Sequence, residues 1–355
     1  MNRNIKNGIA LSIIPQIIVV KTIGHYPEII EKYYSTGLYP LVSLASRKLL
    51  GWVPFSVGDI GYTLCTLLVL RYLVQKRGDI LKCPLLFLRN MAIVLSLAYF
   101  AFHLLWGFNY YRQPISKTMG LSLETTTADL TFLVSRLVEK NNEIQYQLMA
   151  DSSEAVQIPY TKNQIFEKTI SGYSQLQQQT SFLGYAAPSL KTSLYSTALT
   201  YMGYGGYLNP FTNEAQVNGK LPRLRFPVVS AHEIGHQLGY SAENETNFIG
   251  YLATETHTDP YFKYAAYNYA LSYCLSELRT RNETEFNVQY ALLNEGVKKN
   301  FREMTEFWQA YDNPLEPVFK SVFNSFLKAN SQPAGIRSYN LVVQLLIAYH
   351  KNHPL

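Results

Sequence analysis

Cysteine is scarce in this chain. Three thiols in 355 residues, Cys65, Cys83 and Cys274, are too few and too dispersed for a disulfide framework or a thiolate metal cluster. Two fall in or beside the apolar N-terminal region, where a small packed hydrophobe is the expected role. Charge is also sparse, at 16% of residues, and the net +6 is scattered without a basic stripe or tail. That lack excludes a nucleic-acid footprint. Between Gln113 and Leu355 there is no Pro/Gly/Ser linker, low-complexity tract or internal repeat, so this stretch reads as one domain of about 240 residues.

What the chain does have is apolar surface, 47% of its residues, concentrated before Arg112. Three stretches there read as membrane spans, and the bilayer is the partner they imply. The first, about 7–26, is built on NGIALSIIPQIIVV, and because Lys21, His25 and Pro27 follow rather than a small-x-small site, it reads as an uncleaved span. The second, 57–75, keeps Asp59 and Arg71 near its ends, where long side chains and tilt hold charge at the interface. The third, 91–111, is uncharged, about 20 residues long and closed by an aromatic cluster. Residues 1–112 therefore form a transmembrane region and 113–355 a folded domain. Arg3, Lys6, Lys76, Arg77, Lys82 and Arg89 flank the spans on one side, which places the domain on the outer, periplasmic face of a multi-pass inner-membrane protein. Lys21, Lys32, Arg47 and Lys48 count the other way.

The domain reads as mainly α. Apolar residues recur at three and four spacing in TTADLTFLVSRLVEKNNEI, in QIFEKTISGYSQL and in NETEFNVQYALLNEGVKKNFREMTEFWQAY. The exception, ALTYMGYGGYLNPFTNEAQVNGKLPRLRFP, is dense in Gly, Tyr, Asn and Pro and predicts short strands that would offer an extended peptide an edge to pair with. SYNLVVQLLIAYHKNHP near the end is too short to span and predicts a buried helix.

The sharpest signal is SAHEIGHQLGYSAENETNFIGYL, residues 230–252. HEIGH sets His232 and His236 one helical turn apart on one face, where two imidazoles can hold one Zn²⁺, with Glu233 beside them as general base. The metal acidifies a water and polarises a carbonyl, and the carboxylate carries the proton to the leaving amine. The apolar run before the motif, small Ser230, Ala231 and Gly235, and Gly239 at the helix end predict a buried helix. A third ligand is needed. The spacing HExxHxxGxxH would put a third histidine at Ala242, which excludes that class. Glu243 and Glu245 are both candidates, Glu245 because it shares a face with Phe248, Ile249 and Leu252, where a buried carboxylate would need a cation.

ENETNFIGYLA resembles the third-ligand helix of gluzincins, a glutamate followed four residues later by Asp or Asn. That resemblance implies Glu243 as third metal ligand and Asn247 as its supporting partner, with a zincin-like α+β domain around them. Glu243 follows His236 by only seven residues, closer than those families usually allow, so Gly239, Tyr240 and Ser241 must turn sharply, with Ser241 placed to cap the next helix. Taken with the three spans and the Gly/Tyr-rich strands, the chain resembles a bacterial family of membrane-anchored zincin-like proteins known only as a domain of unknown function. The expectation is a membrane-anchored zinc metallopeptidase acting on peptide or protein substrates. The rival is a catalytically silent zincin-fold sensor or scaffold, against which the retained Glu233 counts. A transporter is disfavoured by three spans with few polar residues. His257, Tyr261, Arg337 and Tyr339 are candidates to steady an oxyanion. His25 and His103 read as interfacial or packed, and His350 and His353 as a solvated terminus.

Overall fold

The structure is a computed structural model that describes residues 2–330, 332 and 341–355. Three apolar helices lead it: Arg3–Gly24, Val57–Gly78 and Pro84–Leu105, each 22 residues long and little buried within the fold. At 1.5 Å per residue each extends about 33 Å, enough to cross a hydrocarbon core. The first is interrupted at Ser12, where Pro15, three residues into its second half, has no N–H to donate back to Leu11.

The third span lies upstream of the expected 91–111. Pro84 starts it at the first helical position, and beyond Leu105 the chain tightens into a 3₁₀ turn, Gly107–Tyr111. Gly107 is required there, since a Cβ would come within 2.6 Å of the Phe102 ring. The aromatic cluster thus belongs to the folded domain, with Trp106, Asn109 and Tyr111 buried. The segment between spans one and two is also folded, as a π-helical stretch Ile30–Leu38 running into the helix Tyr39–Leu50. Ile30, Tyr34 and Tyr39 pack with Trp106 and Tyr111 into a small core of their own. Spans one and three end, and span two begins, on the side where these segments and the rest of the chain fold.

The domain helices start where the sequence supplies caps. Thr126 with Asp129, and Thr161 with Gln164, form reciprocal capping boxes that open Thr127–Met149 and Lys162–Gln179. Asp259, followed by Pro260, opens Pro260–Arg281. The run expected from Asn282 onward is two helices, Glu283–Ala291 and Glu295–Gln309, because Asn142 accepts from the Asn294 amide at 2.8 Å and donates to the Leu292 carbonyl at 2.8 Å, fixing a break between them. The last helix, Val342–His350, is buried along Val342, Leu345 and Leu346.

A mixed three-stranded sheet stands beside the HEIGH helix, Phe226–Gln237. The strands β1 (Leu190–Thr192), β2 (Gly206–Asn209) and β3 (Glu214–Val217) lie in the order β1-β3-β2, with β1 parallel and β2 antiparallel to the central β3. β3 is wholly buried and β2 is an edge strand whose Gly206, Tyr207 and Leu208 remain partly exposed. The sheet also holds the start of span two. Glu214 accepts from the Val57 and Gly58 amides at 3.1 and 2.6 Å and from Lys191 Nζ at 2.5 Å, so a strand carboxylate satisfies the helix N-terminus. Asp59 is not an interfacial residue. It is fully buried and accepts from Leu194 N at 2.7 Å, Ser193 Oγ at 2.9 Å and the Tyr207 hydroxyl.

The HEIGH helix and the following helix, Glu243–Glu255, pack backbone to backbone. A Cβ at Gly250 would lie 2.9 Å from the Val228 carbonyl and 3.0 Å from the His232 amide, so glycine permits the contact. The turn between them depends on Gly239 at φ +85°, a left-handed conformation that disfavours side chains. Its Cβ would also press on Tyr39 at 2.9 Å and Asn109 at 3.0 Å. Gly239→Ala is therefore expected to destabilise the detergent-purified protein by about 2 kcal/mol, lowering Tm by ~4–8 °C in a thermal melt. An unchanged Tm would show that the turn tolerates a side chain.

Candidate metal centre

The HEIGH helix ends inside the protein, where its last carbonyls need donors. They find them on residues far upstream, between and just after the apolar helices. Tyr39 Oη donates to the Gln237 carbonyl at 2.9 Å, Ser43 Oγ to the same carbonyl at 3.1 Å, and Trp106 Nε1 to the His236 carbonyl at 3.2 Å. Arg112 clamps the turn that follows. Its guanidinium donates to the Gly239 carbonyl at 3.0 Å, lies 3.9 Å from the Tyr240 ring centroid and makes a two-pronged pair with Glu31 at 2.7 and 3.1 Å. On the other flank Tyr173 Oη reaches the Ala231 carbonyl at 2.6 Å, and Gln237 is held by Tyr185, Ser189 and Asn213.

Within this frame His232, Glu233 and His236 offer three ligand atoms within 4.8 Å of one another. His236 Nδ1 lies 2.7 Å from the Tyr240 carbonyl, which can only accept, so the imidazole proton sits on Nδ1. His232 Nδ1 lies 2.8 Å from Asn247 Oδ1, which also accepts from Tyr269 Oη at 2.6 Å. Both Nε2 atoms are left as lone pairs, and they face each other across 3.1 Å. Two neutral rings so placed repel unless a cation, or a proton on one Nε2, lies between them. Glu243 Oε2 stands 3.3 Å from His232 Nε2 and 3.8 Å from His236 Nε2, adding negative charge at the same point.

Glu233 Oε2 is buried without a hydrogen-bond partner. Burial pushes this carboxyl up to about 8, His232 opposing and Glu243 adding to the rise. Burial also drives His236 down to about 4, against the pull of Glu243. On His232 burial acts downward too, but the Glu243 and Glu233 carboxylates outweigh it and the group is raised. A cation among these groups would reverse the pressure on both carboxylates. Two imidazole nitrogens plus a carboxylate oxygen are a donor set suited to zinc, and the residues present fit that ion.

Of the two glutamates expected to compete for a third position, Glu243 is the one whose carboxylate lies beside the imidazoles. Glu245, the alternate, points elsewhere: its Oε1 accepts from the Ile115 amide at 2.8 Å, and it faces Arg112 and Glu31. Burial raises Glu245 to about 7 against the pull of Ile115 N and Arg112. Asn247 supports His232 rather than Glu243. Ser241 does not cap the next helix, because its hydroxyl donates to the Asn109 carbonyl at 2.9 Å and the cap position is Ala242, with no side-chain bond.

The cluster opens into a cavity of about 730 Å³ with mostly apolar walls. β2 forms one side, where a Cβ on Gly206 would meet Glu233 Oε1 at 2.5 Å. Tyr62 of span two and Phe102 of span three form another, and Phe323 and Phe326 of the helix Glu316–Ala329 a third. Of the expected oxyanion candidates, His257 and Tyr261 do not line it. His257 Nδ1 accepts from the Asp259 amide at 2.9 Å, and Tyr261 packs on Tyr160. Arg337 and Tyr339 lie outside the described residues. Tyr110, Tyr204, Tyr269 and Arg225 do line the cavity. Nothing in their local sequence set them apart from the other tyrosines and arginines. His103 is packed beneath Phe102 and Phe108. His350 is not at a frayed end, being 2.8 Å from Tyr251 Oη.

Fold and site together describe a mainly helical protein with three helices long and apolar enough to cross a membrane, a small mixed sheet and a buried His/Glu cluster. The chain belongs to the DUF3810 family, described as a protein of unknown function, which matches residues 34–347. Neither the curated proteins nor the solved structures gave a match.

The two glutamates differ in what they do for the fold. In chelator-treated protein Glu245→Ala is expected to lower stability by about 1–3 kcal/mol, since it orphans the buried Ile115 amide and leaves Arg112 less neutralised. Glu243→Ala, which removes the carboxylate 3.3 Å from His232 Nε2 but strands no backbone amide among the contacts described, is expected to cost less than Glu245→Ala. Thermal melts of both variants check this, and the reverse order would mean that Glu243 is structural.

Proposed function

We propose that the chain is a membrane-anchored, zinc-dependent metallopeptidase of the zincin type. The observation that carries this reading is the pair of Nε2 lone pairs facing each other at 3.1 Å with Glu243 beside them, each ring's other nitrogen being engaged elsewhere. His232, His236 and Glu243 would hold the ion. Zinc bound there supplies a water with a pKa lowered toward ~7 and a Lewis acid for the scissile carbonyl. Glu233 Oε2, buried and unpartnered, takes the proton and returns it to the leaving amine. Asn247 fixes the His232 ring through Nδ1, and the Tyr240 carbonyl fixes His236. An extended peptide paired with the outer edge of β2 would run past Gly206 and so across Glu233. A silent scaffold has no use for a partnerless carboxylate at that point.

Orientation follows the basic residues. Arg3, Lys6, Lys76, Arg77 and Lys82 lie on the side of the spans away from the domain, while Arg47, which counted the other way, is buried and donates to the Ala186 carbonyl. The domain is thereby proposed to face the periplasm from an inner-membrane anchor.

Glu233→Gln in detergent-solubilised protein tests the reaction. Hydrolysis of a broad quenched-fluorescent peptide library is expected to fall by about 10³-fold while zinc per chain stays level with wild type. His232→Ala is expected to lose both. A zinc-loaded wild type no more active than Glu233→Gln would move the protein to the silent reading.

A further inference from the structure

The helix Glu316–Ala329 carries its apolar residues on two faces. Inward, Leu327 is fully buried and Phe323 meets Tyr204 of the cavity wall at 5.3 Å between centroids. Outward, Leu315, Val318 and Val322 recur at spacings of three and four and are 60%, 56% and 65% exposed, and Phe326, 40% exposed, lies at the edge of this stripe where it also lines the cavity. No charge interrupts that stripe. Of the helix's charged residues, Glu316 and Lys320 pair with each other at 2.5 Å, with Lys320 lining the cavity, and Lys328 lies exposed in the last turn beside the stripe. A helix facing water would show the opposite arrangement.

Its neighbours say what covers the outer stripe. Phe326 packs against Phe102, in the last turn of span three, at 6.4 Å, and against Tyr110 at 5.9 Å. Lys21, in the last turn of span one, donates to the Ala329 carbonyl at 2.7 Å. The helix therefore ends at the height where two spans leave the bilayer, and its stripe continues their lipid-facing surface. Such a helix lies in the interface plane with its apolar face among the acyl chains. The cavity behind it is lined by Tyr62 and Phe102 of the spans themselves. We infer that Glu316–Ala329 is a membrane-interface helix forming the outer wall of the cavity, and that the site takes an apolar peptide segment from the lipid side. The second half rests on the peptidase reading above; the first does not.

The test uses the full chain in proteoliposomes. Val322→Trp, in a Trp52→Phe background that removes the exposed native indole, is compared in lipids with and without acyl-chain bromination. Bromolipid is expected to quench the introduced indole by at least half and aqueous iodide to leave it nearly unchanged. Val288→Trp, on a domain helix away from the spans, should show the reverse. Quenching of Val322→Trp by iodide alone would overturn the interfacial placement, and protection from both quenchers would assign the stripe to a protein partner instead. Access is read by an aryl diazirine dissolved in the lipid, with labelled peptides mapped after photolysis. Labelling of the cavity wall at Tyr204–Leu208, reduced severalfold in Val318→Asp/Val322→Asp while the spans stay labelled, is the expected result. Labelled spans with an unlabelled cavity wall would refute lipid-side entry. Neither readout requires hydrolysis, so failure here leaves the peptidase reading standing, and an inert Glu233 leaves these outcomes interpretable.

Discussion

Two imidazole nitrogens confront each other across 3.1 Å, and both rings have their protons committed on the far side. Lone pairs hold that position only with a proton or a cation between them, which the two carboxylates beside them favour, and the surrounding structure keeps the rings there. It does so through three devices. Glycines let the HEIGH helix and its successor touch backbone to backbone, a left-handed Gly239 turns the chain within seven residues, and Arg112 with Tyr39 and Trp106 holds the turn from outside.

The membrane-proximal segments belong to this scaffold. Residues from Glu31 to Ser43 and from Trp106 to Arg112 satisfy the carbonyls at the end of the HEIGH helix, and Glu214 fastens the start of span two to the sheet that faces the site. The apolar helices are thus fastened to the fold at their inner ends. A tilt of span two would be felt at Tyr207, bonded to Asp59 one turn into that helix, and so along the strand that crosses Glu233.

Much of the site was legible in sequence because its determinants are local. Histidines at four spacing share a face by helix geometry alone, and Gly239 announces the end of that helix. The small strands were visible as a Gly, Tyr and Asn cluster. What was illegible depends on contacts across long sequence separations. Nothing near Tyr39, Trp106 or Arg112 signals a bond to a helix end more than a hundred residues away. Asp59 read as an interfacial charge near a span's end because its partners, Ser193, Leu194 and Tyr207, lie far along the chain. Glu243 and Glu245 could not be separated by burial, since both are buried; Ile115 N and Arg112 decide between them. Asn247 was read as a partner of Glu243, and its 2.8 Å approach to His232 was not legible because it depends on the close packing of the two helices at Gly250.

X-ray absorption at the zinc edge, on protein purified with its native metal, tests the central claim most directly. The account predicts two imidazole nitrogens among an otherwise oxygen shell, with no sulfur, and the loss of one imidazole's scattering in His236→Ala. Sulfur in the shell, or a metal-free protein that takes up no zinc on repletion, would contradict it.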